Sequence, residues 1–418
     1  MAHLAIVLGI RPDVIRASLV LNKLRAQQKH RITFIWSGQH YSDNLKDVFF
    51  RELDVAKPDL ELGVSGDSDA AIAGAMIQKL APVLVEIKPD AVMFLGDTNT
   101  VVGCIACGQL NIPVIHFEGC WHSYDWRMPE DKYRRLIDHM SDVIYTYFPE
   151  YKLQGMVGGL NQKGIVVTHG NPIVEILQTY YYDRKEQFEQ LASPAFFAER
   201  GITKGEYYVM TCHRRENVHI RASFEAIVRL IGHTNRKVYF AASYRTQKVI
   251  KEYGMTLPPN VIMVDPIGYV ELVALMVNSR GVITDSGTVV EETCVLQVPS
   301  LQMRKATERP QTYDVGSSVK FDPDRAADYD FDVLYAKFEA LYGTTWQNPM
   351  GDGKASDRIV ADLLRRLDET DDGSGPGFHM HAPELSHYWV GRSYGEDGLP
   401  EPTAEQVAAM RNTARARA

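Results

Sequence analysis

At 418 residues, with 45% hydrophobic and 23% charged side chains, the chain is long enough and apolar enough to bury two separate cores. Its net charge of −8 excludes a generally basic surface of the kind that nucleic acid or an anionic membrane selects, so an anionic ligand would need a locally basic site. Five scattered cysteines do not form a disulfide framework, no uninterrupted apolar run approaches the roughly 20 residues of a membrane span, and Met1-Ala2-His3-Leu4 lacks a signal peptide's basic region, which together point to the cytoplasm.

In chain order, residues 5–8 form an apolar strand closed by Gly9, followed by Arg11-Pro12-Asp13 and a helical pattern through Ile15, Leu19 and Leu24. Residues 32–36 read as a second strand, 70–87 as a long helix, and 91–95 as a third strand running straight into Gly96-Asp97-Thr98. A small-residue helix over 101–110 precedes a strand at 113–117 that delivers Glu118, and further strands read at 143–147 and 164–167. Residues 172–205 read as helix plus polar linker, after which the alternation restarts with strands at 207–211, 237–241, 261–264 and 281–284. Apolar strand alternating with amphipathic helix predicts an α/β chain with parallel sheets covered on both faces. Two such halves predict two Rossmann-like domains. In these sheets ligands bind beyond the carboxyl ends of the strands, which is where Asp97, Glu118, His213 and Asp285 all fall. A helix over 355–368 follows, and from Glu369 the composition shifts to a Gly-rich segment and a tail holding His379, His381, His387 and Tyr388-Trp389-Val390. That tail reads as an appendage or as an oligomerisation arm.

Asp285-Ser286-Gly287-Thr288, between a strand and a helix carrying Glu291 and Glu292, can present free N–H groups to an anion, although the same pattern serves an ordinary N-cap. His213-Arg214-Arg215-Glu216 puts two arginines and a histidine at a strand end, where they suit a diphosphate, and Arg11 and Arg16 add positive charge. Asp97 and Glu130-Asp131 could act as helix caps, whereas Glu118 has no such structural motive. Cys104 and Cys107 have a metal-like spacing but lie mid-helix without a second pair, and His379/His381 lack a third ligand. No dinucleotide fingerprint and no Walker loop occur, so neither metal nor cofactor is expected.

Gly9-Ile10-Arg11-Pro12, Ser37-Gly38-Gln39-His40, Gly96-Asp97-Thr98, Glu118-Gly119, Pro129-Glu130-Asp131, His213-Arg214-Arg215-Glu216, Asp285-Ser286-Gly287 with Glu291-Glu292, and Thr307-Glu308-Arg309-Pro310 occur in one order. That series resembles the non-hydrolysing UDP-N-acetylglucosamine 2-epimerases over about residues 4–365. The resemblance implies a GT-B fold with a sugar-side domain over 1–171, a UDP domain over 172–354, a helix over 355–368 crossing back, and an extension over 369–418. It implies a metal-free, cofactor-free inversion at C2 of a UDP-linked N-acetylhexosamine by a homodimer. Asp97, Glu118 and Glu130 would be the acid/base groups, with His213 assisting. Arg11, Arg16, Arg134, Arg214, Asp285, Ser286, Gly287, Thr288 and Glu292 would hold the UDP-sugar, with Glu292 at the ribose. The chain departs from the resembling family at Cys120-Trp121-His122, at Tyr133, at Ala241-Ala242-Ser243, and at Thr288, where a second glycine is usual. Hydrolysis to free sugar and UDP, transfer to an acceptor, and silent UDP-sugar binding are the competing readings.

Overall fold

The computed structural model describes residues 1–38, 43–160 and 164–379, of which 43–47 are described as backbone only. Gln39, His40 and the tail from residue 380 onward, including His381, His387 and Tyr388-Trp389-Val390, lie outside the described residues. Met1–Phe378 form one compact unit that contains two parallel sheets.

The first sheet is built from β1 (His3–Leu8), β2 (Arg31–Trp36), β3 (Leu60–Glu61), β4 (Ala91–Leu95), β5 (Val114–Phe117), β6 (Val143–Thr146) and β7 (Gly164–Val167). The second holds β8 (Tyr207–Thr211), β9 (Lys237–Ala241), β10 (Val261–Val264), β11 (Gly281–Thr284), β12 (Ser300–Met303) and β13 (Ser318–Phe321). The strand orders are β3-β2-β1-β4-β5-β6-β7 and β10-β9-β8-β11-β12-β13. Central strands such as β1, β4 and β11 are buried at every position, because helices cover both faces. In each sheet the winding reverses beside its first strand, at β1/β4 and at β8/β11, and such switch points open a crevice beyond the strand ends. This is the expected GT-B architecture of two doubly wound sheets.

The chain passes between the lobes twice, and the two crossings are tied to each other. Asn171 N–H donates to the Met350 carbonyl at 2.8 Å, and Gly170 pairs antiparallel with Gly351. Gly351 has φ +100°, and a Cβ there would overlap the Gly170 backbone, so the crossing needs glycine. The helix Ala355–Asp372 then returns to the first lobe, four residues longer than expected. It buries Ile359, Leu363 and Leu367, pairs Asp357 with Lys23 at 2.6 Å, and takes the Tyr145 hydroxyl on Asp362 at 2.8 Å.

One expectation needs correction. The helix expected over 101–110 opens instead as a tight 3₁₀ stretch, Asn99–Gly103, and becomes α-helical only over Cys104–Gln109. The helix Asp69–Ile87 has 19 residues and a mean hydropathy of 1.5, enough by length and composition to cross a membrane, although only 17% of it is buried. Lys79 and Glu86 interrupt that stretch, and Met76, Leu80 and Leu84 anchor it to the first core.

Candidate active site

The strand ends of the two sheets face one cleft of about 780 Å³, a size suited to one nucleotide-sugar ligand. Gly9, at the end of β1, and Ile10 donate their N–H groups to Asp13 Oδ2 at 3.1 Å each, which fixes the turn that aims Arg11 into the cleft. Burial pushes the Asp13 carboxyl up to about 7.

Beyond β4, Asp97 lines the cleft, and its Oδ2 accepts from Arg134 Nη2 at 2.6 Å. Burial opposes its charge, but Arg134 and Arg214 outweigh that and hold the carboxyl below its ordinary range. Glu118, beyond β5, has a fully buried side chain and is absent from the cleft wall. It takes Arg16 Nη1 at 2.8 Å, Arg134 Nη2 at 3.2 Å and the Tyr147 hydroxyl at 3.1 Å. Its φ of +74° is an uncommon backbone state, as are those of Cys120 (+64°) and Tyr124 (+59°) on the same loop. Asp138 stabilises that loop by accepting Cys120 N–H at 3.0 Å, and Asp131 by accepting Ser123 N–H at 2.7 Å. Glu130, on the helix Pro129–Met140, lines the cleft, and its buried Oε2 has no partner among the described residues.

On the opposite lobe Asp285 is fully buried and accepts His213 N–H at 3.0 Å, Arg214 N–H at 2.9 Å and Asn217 Nδ2 at 3.1 Å. It therefore shapes the turn after β8. His213 faces the cleft with Nδ1 3.4 Å from Asp285. Enclosure lowers its pKa, Arg214 and Arg245 add to this, and Asp285 only partly opposes. Ser286 caps the helix Gly287–Val295 by accepting Val289 N–H at 3.4 Å. Gly287 lies against the Arg309 guanidinium, which stacks 4.4 Å from the Trp121 ring centroid and pairs with Glu308 at 2.6 Å and with Glu291. Glu292 lines the cleft beside Tyr269, and burial pushes its carboxyl up to about 8, with the Tyr269 hydroxyl partly opposing.

The sequence pattern of the UDP-N-acetylglucosamine 2-epimerase family matches residues 22–364. The UDP-N-acetylglucosamine 2-epimerase of Methanocaldococcus jannaschii is 33% identical over 371 residues, covering 85% of this chain and 97% of that protein. The chain belongs to the UDP-N-acetylglucosamine 2-epimerase family. Its class is that of isomerases. A second relative of 33% identity, from Methanococcus maripaludis, covers 86% of this chain and 98% of its own length under the same name. The UDP-2,3-diacetamido-2,3-dideoxy-D-glucuronate 2-epimerase of Pseudomonas aeruginosa is 29% identical over 86% of this chain and 99% of its own. Among solved structures, the M. jannaschii epimerase in complex with UDP-GlcNAc and UDP superposes with a TM-score of 0.78 at 31% identity, over 87% of this chain and 99% of that one.

In this epimerase-family chain the fold brings Arg11, Arg16, Asp97, Glu130, His213, Arg214, Ser286, Gly287, Thr288 and Glu292 onto one cleft. Glu118, Arg134 and Asp285 stand behind it, where they hold the groups in front. Arg215 was singled out in the sequence, but its partner Asp69 across the cleft was not, and Asp13, Tyr147 and Arg245 were missed. Only Asp13 carried a signal, being an acid in a helix's first turn, and that signal reads first as capping. Cys104 and Cys107 are buried in the first core, where burial pushes both thiols up, as expected of packing residues.

Proposed function

We propose that this enzyme inverts C2 of a UDP-linked N-acetylhexosamine, interconverting UDP-N-acetylglucosamine and UDP-N-acetylmannosamine or close analogues. The C2 proton has no adjacent carbonyl to stabilise a carbanion, so UDP departs first. The C1–O bond breaks with its electron pair on the diphosphate, C2 loses its proton to a base, and a C1=C2 glycal forms. Protonation of C2 from the other face and return of the diphosphate to C1 complete the inversion. The observation that carries this reading is the convergence of Asp97, Glu130 and His213 with a helix N-terminus and Arg11 and Arg214 on one cleft.

In this reading Asp97, held ionised by Arg134, takes the proton on one face, and Glu130, whose Oε2 has no partner among the described residues, serves the other. Glu118 acts through Arg134 and Arg16. Arg11, Arg214, His213 and the backbone N–H groups at Ser286–Thr288 take the diphosphate, and Glu292 takes the ribose hydroxyls. Asp285 holds the His213 turn. We place the sugar-side lobe at residues 1–171, the UDP lobe at 172–354, the returning helix from 355 and the extension at 369–418. We further propose a cytoplasmic homodimer: all five cysteines are unpaired thiols, which fits a reducing compartment, and the apolar helix Asp69–Ile87 leaves Val85 57% exposed for a second copy to cover. Incubation with a panel of UDP-N-acetylhexosamines, read by NMR and mass spectrometry, should yield the C2 epimer. Release of UDP with free sugar as the sole product would replace this reading with hydrolysis.

A further inference from the structure

We infer that Thr288 is a positioning residue that couples the leaving diphosphate to the carboxylate cluster of the first lobe through Arg16. The inference rests on the epimerase reading of the cleft. Arg16 is 7% exposed, and its guanidinium spans the lobes: Nη1 donates to Glu118 Oε1 at 2.8 Å and Nη2 to Thr288 Oγ1 at 2.5 Å. Glu291 Oε2, on the helix that Thr288 helps to begin, stands 4.0 Å from the same Nη2. The first-lobe side of this bridge continues, because Glu118 shares Arg134 with Asp97. A continuous run of contacts therefore leads from Thr288 to the carboxylate that faces the sugar.

Since Thr288 Oγ1 accepts from Arg16, its hydroxyl hydrogen points elsewhere, and it has no acceptor among the described residues. Thr288 lies on the cleft wall next to the helix N-terminus, so the acceptor that this position offers is a phosphate oxygen. A hydroxyl that donates to phosphate becomes a better acceptor, which tightens Arg16 and through it Glu118. When the C1–O bond breaks, charge on the diphosphate grows, and the same bridge registers it. Glycine at this position could make neither bond.

The test compares Thr288→Val, which keeps the branched shape without the hydroxyl, with Thr288→Ser, which keeps the hydroxyl without the methyl. Thr288→Val should lower kcat for C2 exchange about a hundredfold while weakening calorimetric UDP binding only about tenfold, in line with the loss of a charge-assisted hydrogen bond that strengthens as the diphosphate leaves. Thr288→Ser should stay within about twofold of wild type on both and keep wild-type thermal unfolding, whereas Thr288→Val, which leaves the buried Arg16 Nη2 without its partner, should unfold at a somewhat lower temperature. A kcat for Thr288→Val equal to wild type, or a Thr288→Ser as impaired as Thr288→Val, overturns the inference. Should the wild type show no exchange, the epimerase reading fails separately. UDP binding to Thr288→Val, Arg16→Lys and the double variant then decides, with non-additive losses upholding the coupling and additive losses overturning it.

Discussion

Replacing Arg134 by methionine removes the donor shared by the two carboxylates and leaves similar bulk. Arg134 is 2% exposed, gives Asp97 a 2.6 Å contact and Glu118 a 3.2 Å contact, and also donates to the Glu118 carbonyl. Glu118 would keep Arg16 and Tyr147, so the larger change falls on Asp97, for which Arg134 is the main force opposing burial. Breaking a buried ion pair from one side costs about 3–5 kcal/mol, and Arg134→Met should lose that much in denaturant unfolding at neutral pH. The sign of the pH dependence follows from the direction of the shift. Asp97 is held below its ordinary range in the folded wild type, so its contribution is present above the unfolded pKa and vanishes as pH falls through the folded one. The stability gap between wild type and variant should therefore narrow in acid. In the variant the Asp97 carboxyl rises, and the acid limb of kcat/KM for epimerisation should move to higher pH. Unchanged stability together with an unmoved acid limb would refute this account of how Asp97 is kept ionised.

Glu292→Gln should flatten the pH dependence of stability in the ligand-free protein. The wild-type carboxyl, raised from 4.5 to about 8 by burial, favours the fold fully below 4.5 and loses that contribution as pH climbs to about 8, an effect of a few kcal/mol absent from the variant in thermal unfolding across this window. Asp285→Asn keeps one acceptor oxygen for three donors, so the turn bearing His213 should loosen, with a loss of about 1–3 kcal/mol in stability and weaker UDP binding by calorimetry. Gly287→Ala would push a Cβ into the buried Arg309 guanidinium, so UDP affinity and thermal stability should fall together, whereas Gly74→Ala, in the helix Asp69–Ile87 with open space around it, should leave both unchanged or slightly raise stability.

Most strands were legible because they are continuous, largely apolar runs set between helical patterns. β4, β7, β8, β9, β10 and β11 begin and end where their residues predict. β3, with two residues, is too short to carry a pattern, and β12 and β13 carry polar residues such as Gln302 and Lys320 in four-residue strands. Such segments are strands because of the sheet they complete. For the cleft, residue type at a strand end was readable, but side-chain direction was not. Glu118 turns away from the cleft because of a positive φ and a partner 102 residues earlier in the chain, Arg16. Asp285 looks like a cap or a ligand group until the turn after β8 folds around it. Asp13 does act as the cap its position suggests, and its place on the cleft wall emerges only from the fold.

The central claim, that proton exchange at C2 is carried out from Asp97, is tested most directly by incubating UDP-N-acetylglucosamine in deuterated water. The wild type should place solvent deuterium at C2 of the recovered sugar nucleotide. Asp97→Asn should place none while still binding UDP within about tenfold of the wild type. Deuterium at C2 in the Asp97→Asn variant at the wild-type rate, or none with the wild type, would contradict the account.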